Sequence, residues 1–205
     1  MPEPSNTEVI PSGEFEPIAF WQQHKGKIVF YVVLLVVGLA AFAIYQITTA
    51  RSRAETEQLF AQAKSVEDFK RIISNYPASM AAGNASLMLA EKLRSEGKYD
   101  DAVSTLRGFT TQFPAHPLIS GAWLSLGGSL EAQGKKDEAL QTYQQLTSKY
   151  PDSYAAPMAV FAQANILKAE GKTEEARHVY ENLLAQFPKS YFAGAAMREM
   201  RLLRK

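Results

Sequence analysis

From residue 28 to residue 47 the chain reads IVFYVVLLVVGLAAFAIYQI, twenty positions without a charge. At about 1.5 Å per residue, a helix of that length spans roughly 30 Å, the thickness of a bilayer's hydrocarbon core. The unbroken run is too long for a buried core helix. Apolar residues also continue past Ala41-Phe42-Ala43, so the segment reads as an uncleaved transmembrane helix rather than a signal peptide. Trp21 and Tyr45 fit interfacial aromatic anchors. Before the run, four prolines and four glutamates within residues 1–17 mark a disordered tail, taken here as 1–27, with a short helix starting near Pro17.

After residue 48 the apolar positions fall at helical spacing. Ala102, Leu106 and Phe109 share one face, as do Ala139, Tyr143 and Leu146, and Ala176, Tyr180 and Leu183. These sets are 37 residues apart. The same interval separates Tyr76-Pro77, Phe113-Pro114, Tyr150-Pro151 and Phe187-Pro188, and also Gly97, Gly134 and Gly171. Several columns in phase define a repeat: helix, glycine turn, helix, proline turn. The glycines sit where a helix ends and the chain needs positive φ. Acidic residues follow each glycine, in the next helix's first turn, where the macrodipole favours them. Ser79, His116, Ser153 and Ser190 are expected to cap the helices after the proline turns, with Pro117 at the first position of its helix and Pro157 about one turn into its own. Ser65-Val66-Glu67-Asp68 has the form of a capping box.

The predicted fold is therefore all-α: a single N-terminal transmembrane helix over 28–47, then a helical-repeat solenoid over 48–205. The solenoid holds three full repeats, 78–114, 115–151 and 152–188, with partial repeats at 52–77 and 189–205. No single helix pair buries its apolar face alone, so the pairs must stack.

Composition removes several functions. Lys and Arg number 22 against 21 Asp and Glu, so no basic excess points to nucleic acid. Cysteine is absent, which excludes disulfides, thiolate metal sites, a catalytic thiol and a lipid-modified N-terminal cysteine. His24, His116 and His178 have no metal-ligand spacing. Gly171-Lys172-Thr173 imitates the end of a phosphate loop, but Ile166 stands where the motif needs glycine. No metal, cofactor or catalytic constellation is expected, and the chain does not read as an enzyme. Lys25 and Lys27 before the apolar run nearly balance Arg51 and Arg53 after it; His24 and the short tail favour a cytoplasmic N-terminus.

LGGSLEAQGKKDEALQTYQQLTSKYP, residues 126–151, resembles the tetratricopeptide repeat family in its Leu-Gly, turn glycine, small alanine, aromatic and closing proline. The period of 37 exceeds the family's usual ~34. More narrowly, FWQQHKGK, one apolar span, a basic pair and the AETEQLFAQA helix resemble the membrane-anchored ancillary subunits of the bacterial Sec translocon. That resemblance implies an inner-membrane protein with a periplasmic repeat domain and translocon subunits or envelope chaperones as partners. In register with the repeat family, the concave face would carry Asn84, Leu87, Glu91, Leu124, Gly128, Phe161, Asn165 and Lys168. Leu87, Leu124 and Phe161 read either as inter-repeat core or as an apolar strip for a partner. Two functions stand: a membrane-anchored scaffold for protein–protein interaction, or a self-assembling organiser of another envelope complex, which leaves homo-oligomerisation open.

Overall fold

The computed structural model describes residues 17–203, and the tail expected over 1–16 lies outside the described residues. Among the described residues there are nine helices and no strand. The chain divides into two units, residues 1–51 and 52–205.

α1 (Pro17–Gln62) is longer than the span expected from the apolar run. Residues 17–27, assigned above to the tail, are its first turns. No break separates the apolar segment from the helix that follows. Thr48 and Thr49 sit in that stretch, and their hydroxyls donate back to the carbonyls of Ile44, Tyr45 and Gln46, so they stay inside the helix. In the first unit, every residue from Val29 to Thr48 is exposed, with Leu35 and Ile44 at 62% and 64%. Among the described residues of this unit, none packs a core around the apolar run. By length and composition this helix is able to cross a membrane.

In the second unit, the end of α1 and α2 (Val66–Asn75) form the shortened first pair. Then come α3 (Met80–Ser95), α4 (Tyr99–Gln112), α5 (Ile119–Ala132), α6 (Lys136–Lys149), α7 (Ala156–Ala169), α8 (Thr173–Gln186) and α9 (Tyr191–Leu202). From α2 to α9 each helix packs on the next, and α7 also packs on α5 and on α9. Local contacts of this kind define a solenoid. Its core is a chain of three apolar clusters around Phe69 and Leu89, around Phe109 and Leu130, and around Tyr180 and Leu183. Ala102, Ala139 and Ala176 are wholly buried, which explains why that column admits only alanine.

The glycine turns follow the expectation. Gly97, Gly134 and Gly171 have φ of 73°, 76° and 76°. Each is followed by a lysine whose N–H reaches back to the carbonyl of Leu93, Leu130 or Leu167, at 2.8, 2.9 and 3.0 Å. That bond closes the helix end and aims the chain into the next helix.

The caps follow it only in part. Ser65 and Asp68 form the reciprocal capping box, and Ser79 accepts from Ala82 N–H at 3.0 Å. Ser190 holds the cap backbone position but its side chain makes no cap bond. α5 and α7 begin two residues later than expected, at Ile119 and Ala156. A tight lead-in turn precedes each, closed by Ile119 N–H to His116 O and by Ala156 N–H to Ser153 O. Pro117 therefore lies in a turn rather than in a helix, and Pro157 is the second residue of α7, where its missing N–H has no helical partner to lose.

Candidate functional site

The first helices of the pairs, α3, α5 and α7, carry all eight residues singled out from the sequence. The structure sorts them into two groups and two outliers. Leu87, Glu91 and Leu124 line one groove of about 260 Å³ between α3 and α5. Its remaining wall includes Leu118, Gly121 and Tyr154. Leu87 and Leu124 are half-buried and pack against the central core cluster, so they form the floor. Leu118 and Tyr154, at 47% and 62% exposure, form an apolar rim. Glu91 is bound to Arg94 by two hydrogen bonds at 2.8 and 3.0 Å, one turn apart on α3. The pair is exposed, so it adds little to the stability of the fold.

The groove exists because small residues lie beneath long ones. Gly121 lies directly under the Tyr154 hydroxyl, and a β-carbon there would collide with it. Tyr154 comes from the turn before α7, so the groove is built from three successive repeats and is complete in none of them alone.

Phe161, Asn165 and Lys168 sit together on α7 and face inward partners. Phe161 packs its ring on Tyr180 and Phe192, with centroids 5.8 and 5.4 Å apart. Asn165 Oδ1 accepts from the Tyr180 hydroxyl at 2.6 Å. Lys168 Nζ meets Glu199 Oε2 at 2.6 Å, and both side chains are partly shielded. Burial, then the charge of Glu199, pushes the Tyr180 hydroxyl up to about 12. One repeat earlier, Tyr143 donates to Glu131 at 2.6 Å, and burial followed by that bond drives its pKa far up. These polar groups pin helices to one another.

The two outliers line neither set. Asn84 is half-buried one turn before Leu87. Gly128 is half-buried, 3.8 Å from the Tyr143 hydroxyl as measured from a β-carbon built on it. Among the described residues no group of three His, Cys, Asp or Glu side chains stands close enough to hold a metal ion.

A family model described as a tetratricopeptide repeat-like domain matches residues 19–202. The chain belongs to this family. Solved tetratricopeptide structures share its fold. A tetratricopeptide repeat protein from Parabacteroides merdae is 24% identical over 59% of this chain and 45% of its own, with a TM-score of 0.51. The chain thus spans less than half of that protein. Nearly identical TPR-like repeats of a putative kinesin light chain from Podosopora anserina are 16% identical, over 75% of this chain and 84% of theirs, with a TM-score of 0.55. MamA protein is 17% identical, over 78% and 79%, with a TM-score of 0.52. At these identities the likeness is one of fold. No curated protein matches the chain.

The tetratricopeptide register points to residues on α3, α5 and α7, and the groove adds Leu118, Gly121 and Tyr154, which that register does not include. A signal for Tyr154 was present in the sequence. Met80, Pro117, Tyr154 and Tyr191 occupy one 37-residue column, and Met80, Tyr154 and Tyr191 are exposed at 53%, 62% and 90%. An apolar column that stays exposed in a repeat protein is a better pointer to a surface than one that alternates with core.

Proposed function

We propose that this chain is a non-enzymatic, membrane-anchored tetratricopeptide scaffold that docks an apolar segment of another protein in the groove between α3 and α5. The observation that carries the reading is the groove's own composition: apolar floor residues Leu87 and Leu124 beneath the exposed rim pair Leu118 and Tyr154. A few convergent apolar side chains with a polar edge suit one or two side chains of a partner strand or helix. The exposed apolar run of α1 supports anchoring, because no described residue of its own unit covers it. The resemblance of the N-terminal half to ancillary subunits of the Sec translocon makes translocon subunits and envelope chaperones the first partners to test. It also favours the inner membrane, with the repeats outside the cytoplasm.

Site-specific photocrosslinking in intact cells tests the docking. Probes at Leu118 and Tyr154 should give adducts to another protein, and a probe at Gln145, exposed on α6, should not. Equal labelling from all three positions, or none from the first two, would overturn the groove reading. Adducts to a second copy would move the reading to self-assembly. Release of the full chain from membranes by alkaline carbonate would overturn the anchor.

A further inference from the structure

Ser79, Ser153 and Ser190 share a column with one histidine, His116. This residue is 6% exposed, and its ring lies edge-on to Phe109 and Phe113 of the preceding helix and turn, with centroids 5.1 and 6.3 Å away. On its other side is Gly83 of α3, where a β-carbon would come within 3.0 Å of Cδ2. Nδ1 accepts from Leu118 N–H at 3.1 Å. A ring nitrogen that accepts is unprotonated, so the neutral ring carries its proton on Nε2. Nε2 is buried and has no hydrogen-bond partner among the described residues. The residue whose N–H His116 holds is Leu118, whose side chain stands on the groove's rim.

We propose that His116 is a pH-operated latch on this groove: neutral, it holds the Pro117–Leu118 turn in place; protonated, it releases that turn and loosens the joint between α3, α4 and α5. The consequence for binding rests on the docking role proposed for the groove; the latch itself does not. A second proton must go on Nδ1, which replaces an acceptor by a donor facing the Leu118 N–H. The ring must also carry a full charge between two phenyl rings and a glycine, where desolvation disfavours it. No charged side chain on the packed elements offsets that cost. On α3, Glu91, Lys92 and Arg94 lie two turns or more beyond Gly83, and Glu91 is paired with Arg94. On α4, Asp100 and Asp101 lie at the far end, and Arg107 is bound to Glu138. On α5, Glu131 is three turns on and holds Tyr143. Burial alone lowers the His116 pKa from the ordinary histidine value of 6.5. The latch is therefore fully set above that value and weakens as pH falls from there toward the lower folded one. The serines of the other repeats do not titrate, so the response is confined to one joint.

Hydrogen exchange of the full chain in detergent micelles tests this, since it needs no partner. Between about pH 7.5 and about pH 5, exchange at the Leu118–Ser120 amides, corrected for intrinsic pH effects, should rise roughly tenfold or more. His116→Gln, which keeps an acceptor and does not titrate, should abolish the rise. The equivalent amides at Ala155 and Ala156 should stay protected in both proteins. An equal response in His116→Gln, or no response in the native chain, would overturn the latch. Should the variant fold poorly, the native chain decides alone: the midpoint for exchange must coincide with the His116 ring titration followed by nuclear magnetic resonance. A groove that gives no crosslinks yet shows this pH response would overturn the docking role and leave the latch standing.

Discussion

The Tyr143 ring lies flat against the backbone of Gly127: a β-carbon built on that glycine would stand 2.6 Å from Cζ and 2.7 Å from Cδ1. Tyr143 is 2% exposed and its hydroxyl is tied to Glu131, so the ring has nowhere to go. Gly127 therefore sets how closely α5 and α6 approach, and the next glycine does not. Gly127→Ala should destabilise the repeat unit by about 1–3 kcal/mol through overpacking. Gly128→Ala meets only an ordinary contact at 3.8 Å and should be neutral or more stable by up to about 1 kcal/mol, from helix propensity. Urea unfolding of the two variants side by side checks this, and equal losses would refute the assigned role of Tyr143.

The serine column makes a second comparison. Ser79 accepts the Ala82 N–H, whereas the hydroxyls of Ser153 and Ser190 are buried without a partner among the described residues. Ser79→Ala should cost about 1 kcal/mol. Ser153→Ala and Ser190→Ala remove an unsatisfied polar atom and should cost nothing measurable in thermal unfolding.

Groove binding should separate from stability at the rim. Leu118→Gln and Tyr154→Ser change exposed side chains and should alter unfolding free energy by no more than about 0.5 kcal/mol. Both should nevertheless abolish the photocrosslinks expected from the groove, scored with the probe moved to Ser125 on the groove wall. A rim variant that keeps its crosslinks would show that the partner docks elsewhere.

Tyr180 predicts the alkaline limit. Its folded pKa is raised to about 12 from the ordinary tyrosine value of 10.0, so the unfolded chain releases that proton first. Stability should be intact below pH 10 and decline as pH rises through the interval up to about 12. Tyr180→Phe should remove the share of the decline due to Tyr180 and leave that of Tyr143, whose pKa burial also raises; having lost the bond to Asn165, the variant starts less stable at neutral pH but falls less steeply. Unfolding midpoints measured across that range, against the tyrosinate absorbance, provide the check.

The helices, their order, the glycine turns and the burial of the alanine column are all legible in the residues alone, because each depends on local physics repeated at a fixed interval. A φ near +75° at Gly97, Gly134 and Gly171 follows from where a helix has to stop. An apolar run of twenty residues is visible without any coordinates. Helix starts were less legible. Pro117 and Pro157 stand near the starts of α5 and α7 without fixing the onset, and a lead-in turn moved it by two residues in each.

Which of the eight residues on α3, α5 and α7 are left free is set by packing between repeats. Lys168 and Asn165 look like available polar side chains on a helix face, yet their partners Glu199 and Tyr180 come from later helices. Leu118 and Tyr154 look like loop residues, yet they complete a groove whose floor is Leu87 and Leu124. Periodicity reports which face a residue occupies, since that depends on its own helix. Whether the residue is left available depends on side chains a whole repeat away, and those distances are set by how the repeats stack.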